Sequence, residues 1–250
     1  MDVRNRRRAL AAAFRDGHEI PVRQLATELG CSEMTVRRDL DALEHDGVLR
    51  RVHGGAIGVS LRADEVPYAV RVFEAAAVKE RIGRAVAGLI ADGETVALDS
   101  GTTTAEVARA LRGRRVTVLP LGLRTLVELA NDDQIHLIAP GGDVRPGELV
   151  VTGDLAEVAF ERLRFDTFVL GCCGVEQQHG VTTHVPADAR VKRAAVAASR
   201  RTIAVADATK LGGVAFGHVC DLAALERLVT DAASETIAVM ESAGLRVDRV

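Results

Sequence analysis

Apolar positions recur at a helical interval twice within the first fifty residues. Val22, Leu25, Ala26 and Leu29 stand at i, i+3, i+4 and i+7 and stop at Gly30, which predicts a helix over 22–29 with a glycine at its C-terminal end. Val36, Leu40 and Leu43 form a second stripe, and Ser32 stands where a side-chain cap would start that helix. At ~100° per residue, Arg37 lies roughly 100° and Arg38 roughly 200° around the axis from Val36, so both face away from the stripe, beside Met34 and Thr35. Asp46-Gly47 predicts a turn, followed by a short strand that bends at Gly54-Gly55. Periodicity lapses over 57–72. From about residue 74 helical and extended patterns alternate: an alanine-rich helix to 90, strands at 95–98, 116–119, 135–138, 165–170, 202–206 and 228–230, and helices near 104–111, 153–163, 187–200 and 234–243. Short β-branched runs between amphipathic helices predict a mostly parallel sheet covered on both faces.

Two short helices joined at Gly30-Cys31, the second opening with outward arginines, and a following strand with a glycine bend read as a winged helix-turn-helix. In such a motif the second helix enters the major groove by its N-terminal residues, where arginine pairs bidentately with guanine or grips phosphate. Ser32, Met34, Thr35, Arg37 and Arg38 are therefore the candidates for contact with double-stranded operator DNA. Arg50, Arg51 and His53, on the wing, are the candidates for backbone or minor-groove contact.

At this point the chain resembles a known family. Thr35-Val36-Arg37-Arg38-Asp39-Leu40 followed by Arg51-Val52-His53-Gly54-Gly55-Ala56 is similar to the signature of DeoR-type bacterial transcriptional regulators. The similarity continues through Lys79, Asp99-Ser100-Gly101-Thr102-Thr103-Thr104, Gly141-Gly142, Gly153, Lys192 and Asp207-Ala208-Thr209-Lys210, covering nearly the whole chain. The resemblance implies an α/β protein: an N-terminal winged helix-turn-helix followed by a mostly parallel α/β sensor domain resembling ribose-phosphate isomerases. It also implies a repressor of carbohydrate metabolism that answers to a sugar phosphate. The expected organisation is a DNA-binding domain over 1–57, a linker over 58–73 and an effector-sensing and oligomerisation domain over 74–250, in a homodimer or tetramer.

Composition alters this picture in one respect. With 250 residues, 48% of them hydrophobic, the chain can build two cores. Its net charge of −3 gives no sign of nucleic acid, and even residues 1–58 hold ten basic against nine acidic side chains. Attraction to DNA must then come from local groups: Arg4-Asn5-Arg6-Arg7-Arg8, Arg37-Arg38 and Arg50-Arg51. There is no run of ~20 apolar residues, and no apolar core follows Met1-Asp2-Val3-Arg4, so a cytoplasmic chain with no membrane partner is expected. Cys31, Cys172, Cys173 and Cys220 lack metal-ligand spacing and read as small buried residues, with no metal and no cofactor expected.

The second candidate site begins where Asp99-Ser100-Gly101-Thr102-Thr103-Thr104 leaves a strand and opens a helix. Backbone amides, hydroxyls and the positive helix end make an anion cradle there, and a phosphorylated metabolite is its natural guest. Gly141, Gly142 and Gly171 each follow a strand and let backbone approach a ligand. Lys192 and Lys210 are candidates to neutralise phosphate, Asp207 to accept sugar hydroxyls or pair with Lys210, and Lys79 to couple linker and sheet. Two departures from the family pattern stand out. Pro120-Leu121-Gly122 replaces a usual Thr-Asn pair, and Gly171-Cys172-Cys173-Gly174-Val175 lacks the paired carboxylates that isomerase chemistry needs, which argues for binding without catalysis. The rival readings are an isomerase-like enzyme with an accessory DNA-binding domain, and a sugar kinase or actin-like ATPase sharing Asp-x-Gly-Thr-Thr. The kinase reading requires a β-hairpin after that loop, whereas 104–111 is helical in pattern.

Overall fold

The computed structural model describes residues 2–14, 18–45, 48–58 and 66–250, so the expected Asp46-Gly47 turn lies outside it. The chain divides into two compact units, Met1–Ala76 and Ala77–Val250.

In the first unit, helices Val3–Ala13, Val22–Leu29 and Glu33–His45 share a core of Leu10, Phe14, Val22, Leu25, Val36, Leu40 and Leu43. Of the stripe positions read from the sequence, Val22, Leu25, Ala26, Val36, Leu40 and Leu43 are buried and Leu29 is partly buried against them, and Gly30 ends its helix in the left-handed region at φ 61°. The wing is an antiparallel hairpin of Leu49–Val52 and Gly55–Gly58, turning at His53-Gly54. A third strand, Glu19–Pro21, pairs with Gly55–Gly58; at three residues ending in proline it is too short to show a period. The stretch expected as linker over 58–73 is, in part, structural. Helix Tyr68–Arg71 buries Ala69 and Val70 in the first unit's core, with Val66 packed beside them.

The second unit is built on a seven-stranded sheet in the order Val247–Arg249, Arg227–Thr230, Ser199–Val205, Phe165–Gly171, Thr95–Leu98, Thr117–Pro120, His136–Leu137. Every neighbouring pair is parallel. Successive side chains feed two separate cores. Val96, Leu98, Val118, Val169, Ile203 and Val229 face helices Ala76–Leu89 and Thr102–Leu111, while Ala97, Leu119, Phe168, Leu170, Ala204 and Leu228 face helices Asp154–Arg162, Pro186–Ala197 and Ser234–Ser242. Both faces being apolar explains why these strands read as continuous hydrophobic runs, each fully buried Leu, Ile or Phe contributing about 1.5–3 kcal/mol. Two small antiparallel additions lie outside the expected pattern: a hairpin of Asp143–Arg145 with Val150–Thr152, and a sheet of Gly174–Glu176, Gly180–Thr183 and Gly217–Cys220. The hairpin is stitched to the carboxyl end of the main sheet, Leu123 N–H donating to Leu149 O at 2.9 Å and Val151 N–H to Leu121 O at 2.8 Å.

Candidate functional site

The recognition helix, Glu33–His45, starts as the sequence predicts. Ser32 Oγ accepts the Thr35 N–H at 3.2 Å and shares a hydrogen bond with Thr35 Oγ1 at 2.9 Å, satisfying an amide that the first turn would leave open. Met34 is 69% exposed, and Arg37 and Arg38 are exposed; Arg37 is tethered at 3.3 Å to Glu33, one turn back. On the wing Arg50 and His53 are exposed. Arg51 is committed to bracing: its N–H donates to Glu44 Oε1 at 2.6 Å, and its guanidinium pairs with Asp41 and reaches the Arg37 carbonyl at 3.5 Å. The basic N-terminal run is likewise not all available to phosphate. Arg6 and Arg7 both turn inward to Asp39, at 2.6 and 3.0 Å, because that carboxylate is 2% exposed on the inner side of the recognition helix. The two pairs clamp the first helix to the recognition helix.

At the carboxyl edge of the parallel sheet, Asp99 ends strand Thr95–Leu98 with no exposed surface. Its Oδ1 accepts the Ser100 N–H at 2.7 Å; its Oδ2 accepts the Gly171 N–H at 3.0 Å and lies 2.7 Å from Lys192 Nζ, which also donates to Gly171 O at 3.1 Å. Burial pushes the Asp99 carboxyl up, opposed by Lys192 and the Ser100 amide. Burial alone would lower the Lys192 amine, yet the Asp99 carboxylate beside it raises it above the ordinary lysine range. Asp99 and Lys192 therefore form the floor of the site, joining two strand ends to helix Pro186–Ala197. Lys192, the candidate to neutralise phosphate, is thus already paired with Asp99.

Above that floor the chain turns through Ser100 and Gly101. Gly101 has φ 130°, a left-handed conformation that disfavours any side chain, and it starts helix Thr102–Leu111 two residues earlier than the pattern suggested. Thr102 and Thr104 are consequently buried, Thr104 Oγ1 donating back to Gly101 O at 3.1 Å, whereas Ser100, Gly101 and Thr103 remain half-exposed. The first-turn amides have no intrahelical acceptor and sit at the positive end of the helix, so the cradle can take an anion. Gly171 allows close approach of the neighbouring strand: a Cβ there would lie 3.2 Å from Ser100 O and 3.3 Å from Asp99 Oδ2.

Other predicted residues have structural explanations. A Cβ on Gly142 would stand 2.4 Å from Thr152 O, so that glycine serves the packing of its own hairpin, and Gly141 lies against Leu155. Asp207 Oδ1 caps the turn Ala208–Lys210 by accepting the Thr209 N–H at 3.1 Å, with Thr209 Oγ1 a second donor. Lys79 is buried on the stripe of helix Ala76–Leu89 that also carries Ile82, Gly83 and Val86.

Residues that the sequence did not flag crowd the same edge. Arg145, on the added hairpin, pairs with Asp188 at 2.9 Å, and Arg124 donates to Gly147 O at 3.2 Å. The loop 172–173 also departs from the expectation of buried thiols. Cys220 is buried, while Cys31, Cys172 and Cys173 are half-exposed. Burial pushes the Cys172 thiol up. Burial opposes ionisation of Cys173 too, but a hydrogen bond from His184, the charge of Lys192 and the Thr183 hydroxyl, 3.5 Å from Sγ, bring it down to about 7. A cavity of about 370 Å³ lies at the opposite, amino-terminal end of the strands, lined by Glu94, Asp166, Arg200, Arg201 and Glu226. Its charges already satisfy one another, Arg201 bonding Glu94 at 3.1 Å and Thr167 at 2.7 Å, and parallel sheets bind ligands at the carboxyl edge. Among the described residues no helix is long and apolar enough to cross a membrane, and no cluster of His, Cys, Asp and Glu is arranged to hold a metal ion.

Residues 6–61 match the DeoR-like helix-turn-helix domain, and residues 74–232 match the DeoR C terminal sensor domain. Over 237 residues the chain is 32% identical to the transcriptional repressor AccR of Agrobacterium fabrum, covering 94% of this chain and 92% of that one. It is 30% identical over 229 residues to a putative aga operon transcriptional repressor of Escherichia coli O157:H7, covering 90% and 85%. Among solved structures, ribose 5-phosphate isomerase A of Methanocaldococcus jannaschii shares 14% identity at a TM-score of 0.42 over 55% of each chain, too remote a likeness to bear on chemistry. With both units matched and these relatives similar along nearly their whole length, the chain belongs to the DeoR family of DNA-binding transcriptional regulators.

Proposed function

We propose that the protein represses a carbohydrate-metabolism operon and that a phosphorylated sugar, bound at the carboxyl edge of the sensor sheet, releases it from DNA. The observation that carries this reading is the half-exposed turn Ser100-Gly101 with Thr103, opening onto a helix N-terminus above a buried ion pair. Two relatives bear the word repressor in their names, one of them with an operon. Met34, Arg37 and Arg38 enter the major groove, Arg50 and His53 contact backbone beside it, and Arg51 acts by positioning the wing. Ser32 and Thr35 set the helix start and present their hydroxyls to phosphate. Release follows from linkage: an effector that binds the DNA-incompetent arrangement more tightly draws the population away from the operator. A homo-oligomer would present two recognition helices to half-sites about one DNA turn apart, with Val127, Leu155 and Val158, exposed apolar side chains of the sensor unit, as the candidate subunit contact.

Thr103→Glu tests the cradle by placing a carboxylate where phosphate is expected. The variant should still bind DNA selected from a random duplex library by the wild-type protein, and should no longer release it when pentose and hexose phosphates are added in fluorescence anisotropy. Wild-type release that persists in the variant would move the effector elsewhere.

A further inference from the structure

Asp188 stands in the first turn of helix Pro186–Ala197 and is 5% exposed. Its Oδ2 accepts from Arg145 Nη2 at 2.9 Å, but its Oδ1, equally shielded from water, has no hydrogen-bond partner. An ionised carboxylate offers about four acceptor sites, and leaving a buried acceptor unmade costs about 1–3 kcal/mol, more when it is charged. One turn along the same face lies Lys192, which touches Asp99 at 2.7 Å, and Asp188 is close enough to act electrostatically on both. Asp99 is in turn adjacent to the Ser100–Thr103 cradle. Asp188, which carries the unfilled acceptor, thus stands one helical turn, roughly 5–6 Å between Cβ atoms, from Lys192, the residue that pairs with Asp99 beneath the anion site.

We infer that Asp188 Oδ1 is the hydroxyl-accepting determinant of the effector site, so that the effector is a polyhydroxy phosphate whose anionic group sits at Gly101–Thr103 and whose O–H group bonds Asp188. This rests on the proposed cradle. The charges around Asp188 decide the donor's chemistry. Arg145 and Lys192 already supply two cations, which disfavours a third in the form of a ligand ammonium, and the carboxylate itself excludes the phosphate end. A neutral O–H donor satisfies the acceptor without adding charge. The pair with Arg145 holds the carboxylate in place, so the added hairpin orients the sugar while the helix N-terminus holds its phosphate.

The test is calorimetry on the full chain with inorganic phosphate, ribose 5-phosphate, glucose 6-phosphate, fructose 6-phosphate and the 2-deoxy counterparts of the first two sugars. In the wild type at least one hydroxylated sugar phosphate should bind about tenfold or more tighter than inorganic phosphate, the scale of a hydrogen bond to a charged group. Asp188→Asn should erase most of that advantage while inorganic phosphate binds no more weakly than before. Asp188→Glu, which keeps the charge but displaces the carboxylate, should also lose discrimination, and it serves if the asparagine variant fails to fold. An advantage that survives in both variants overturns the role of Asp188 and leaves the cradle standing. Loss of inorganic phosphate binding by a folded variant makes Asp188 structural and also overturns it. A wild-type protein that binds none of these phosphates refutes the cradle and this inference with it.

Discussion

Replacing Lys192 with methionine keeps most of the side-chain volume but strands the Asp99 carboxylate, which has no exposed surface and would retain only the Ser100 and Gly171 amides. Breaking a buried pair by removing one partner costs about 3–5 kcal/mol, a large part of a total stability that is generally about 5–15 kcal/mol. At a urea m-value of about 2–3 kcal/mol/M, the sensor unit's midpoint should fall by roughly 1–2 M. The deficit should also depend on pH in a definite sense. Burial already pushes the Asp99 carboxyl up and Lys192 opposes it, so deleting Lys192 leaves the upward push. A carboxyl whose folded pKa exceeds its unfolded value takes up a proton on folding, so stability from that group is lost as pH rises. Between pH 7.5 and 5.5 the variant should therefore recover toward wild type by up to about 1.4 kcal/mol per unit. Lys192→Met combined with Asp99→Asn should be more stable at pH 7.5 than Lys192→Met alone, since no charge is then stranded. Urea titrations followed by circular dichroism decide the matter. A loss below about 1 kcal/mol, as for an exposed pair, or single-variant losses that simply add in the double variant, would refute the idea of a buried pair.

Alanine at both Arg37 and Arg38 should abolish specific binding to library-selected DNA in footprinting, at about 1–3 kcal/mol per bidentate contact, without unfolding the first unit, because both side chains are exposed; retained wild-type footprints would end that assignment. Asp39→Ala should remove the carboxylate that draws Arg6 and Arg7 inward, destabilising the three-helix core while steepening the salt dependence of non-specific DNA binding, by ~0.9 in the log–log slope for each new phosphate contact; an unchanged slope would mean that neither arginine gains a phosphate contact. Iodoacetamide labelling of Cys173, followed by mass spectrometry, should rise with a midpoint at about 7 as the thiol ionises. His184→Ala should move that midpoint toward the ordinary thiol value of about 8.5, and a wild-type midpoint already there would show that the neighbours do not act on the sulfur.

Much of the fold was legible because its determinants are local. Val36, Leu40 and Leu43 declare their helix within eight residues, and the strand cores are apolar on both faces. The short elements were not legible, since Glu19–Pro21 and Val247–Arg249 offer three residues each, too few for alternation to show. The hairpin's sequence signal is Pro146-Gly147 between Val144 and Val150-Val151, a weak one beside the Gly141-Gly142 pair that precedes it. For the candidate site, the Asp99–Thr104 turn was readable from its residue types. The pairings were not: whether Lys192 meets a ligand or Asp99, and whether Arg6 faces DNA or Asp39, depends on contacts between distant parts of the chain. Asp188 was within reach as the residue one turn before Lys192, but its partner Arg145 lies 43 residues away.

The short helix Tyr68–Arg71 has a consequence for how this protein can be divided and recombined. By lending Ala69 and Val70 to the core that holds Leu10 and Phe14, it makes the portable DNA-reading module longer than the winged motif itself. A chimera spliced at residue 58, where the visible motif ends, would graft an uncapped core onto its new host, whereas one spliced after residue 76 would carry its own lid and leave the helix Ala76–Leu89 almost whole for whatever sensor follows.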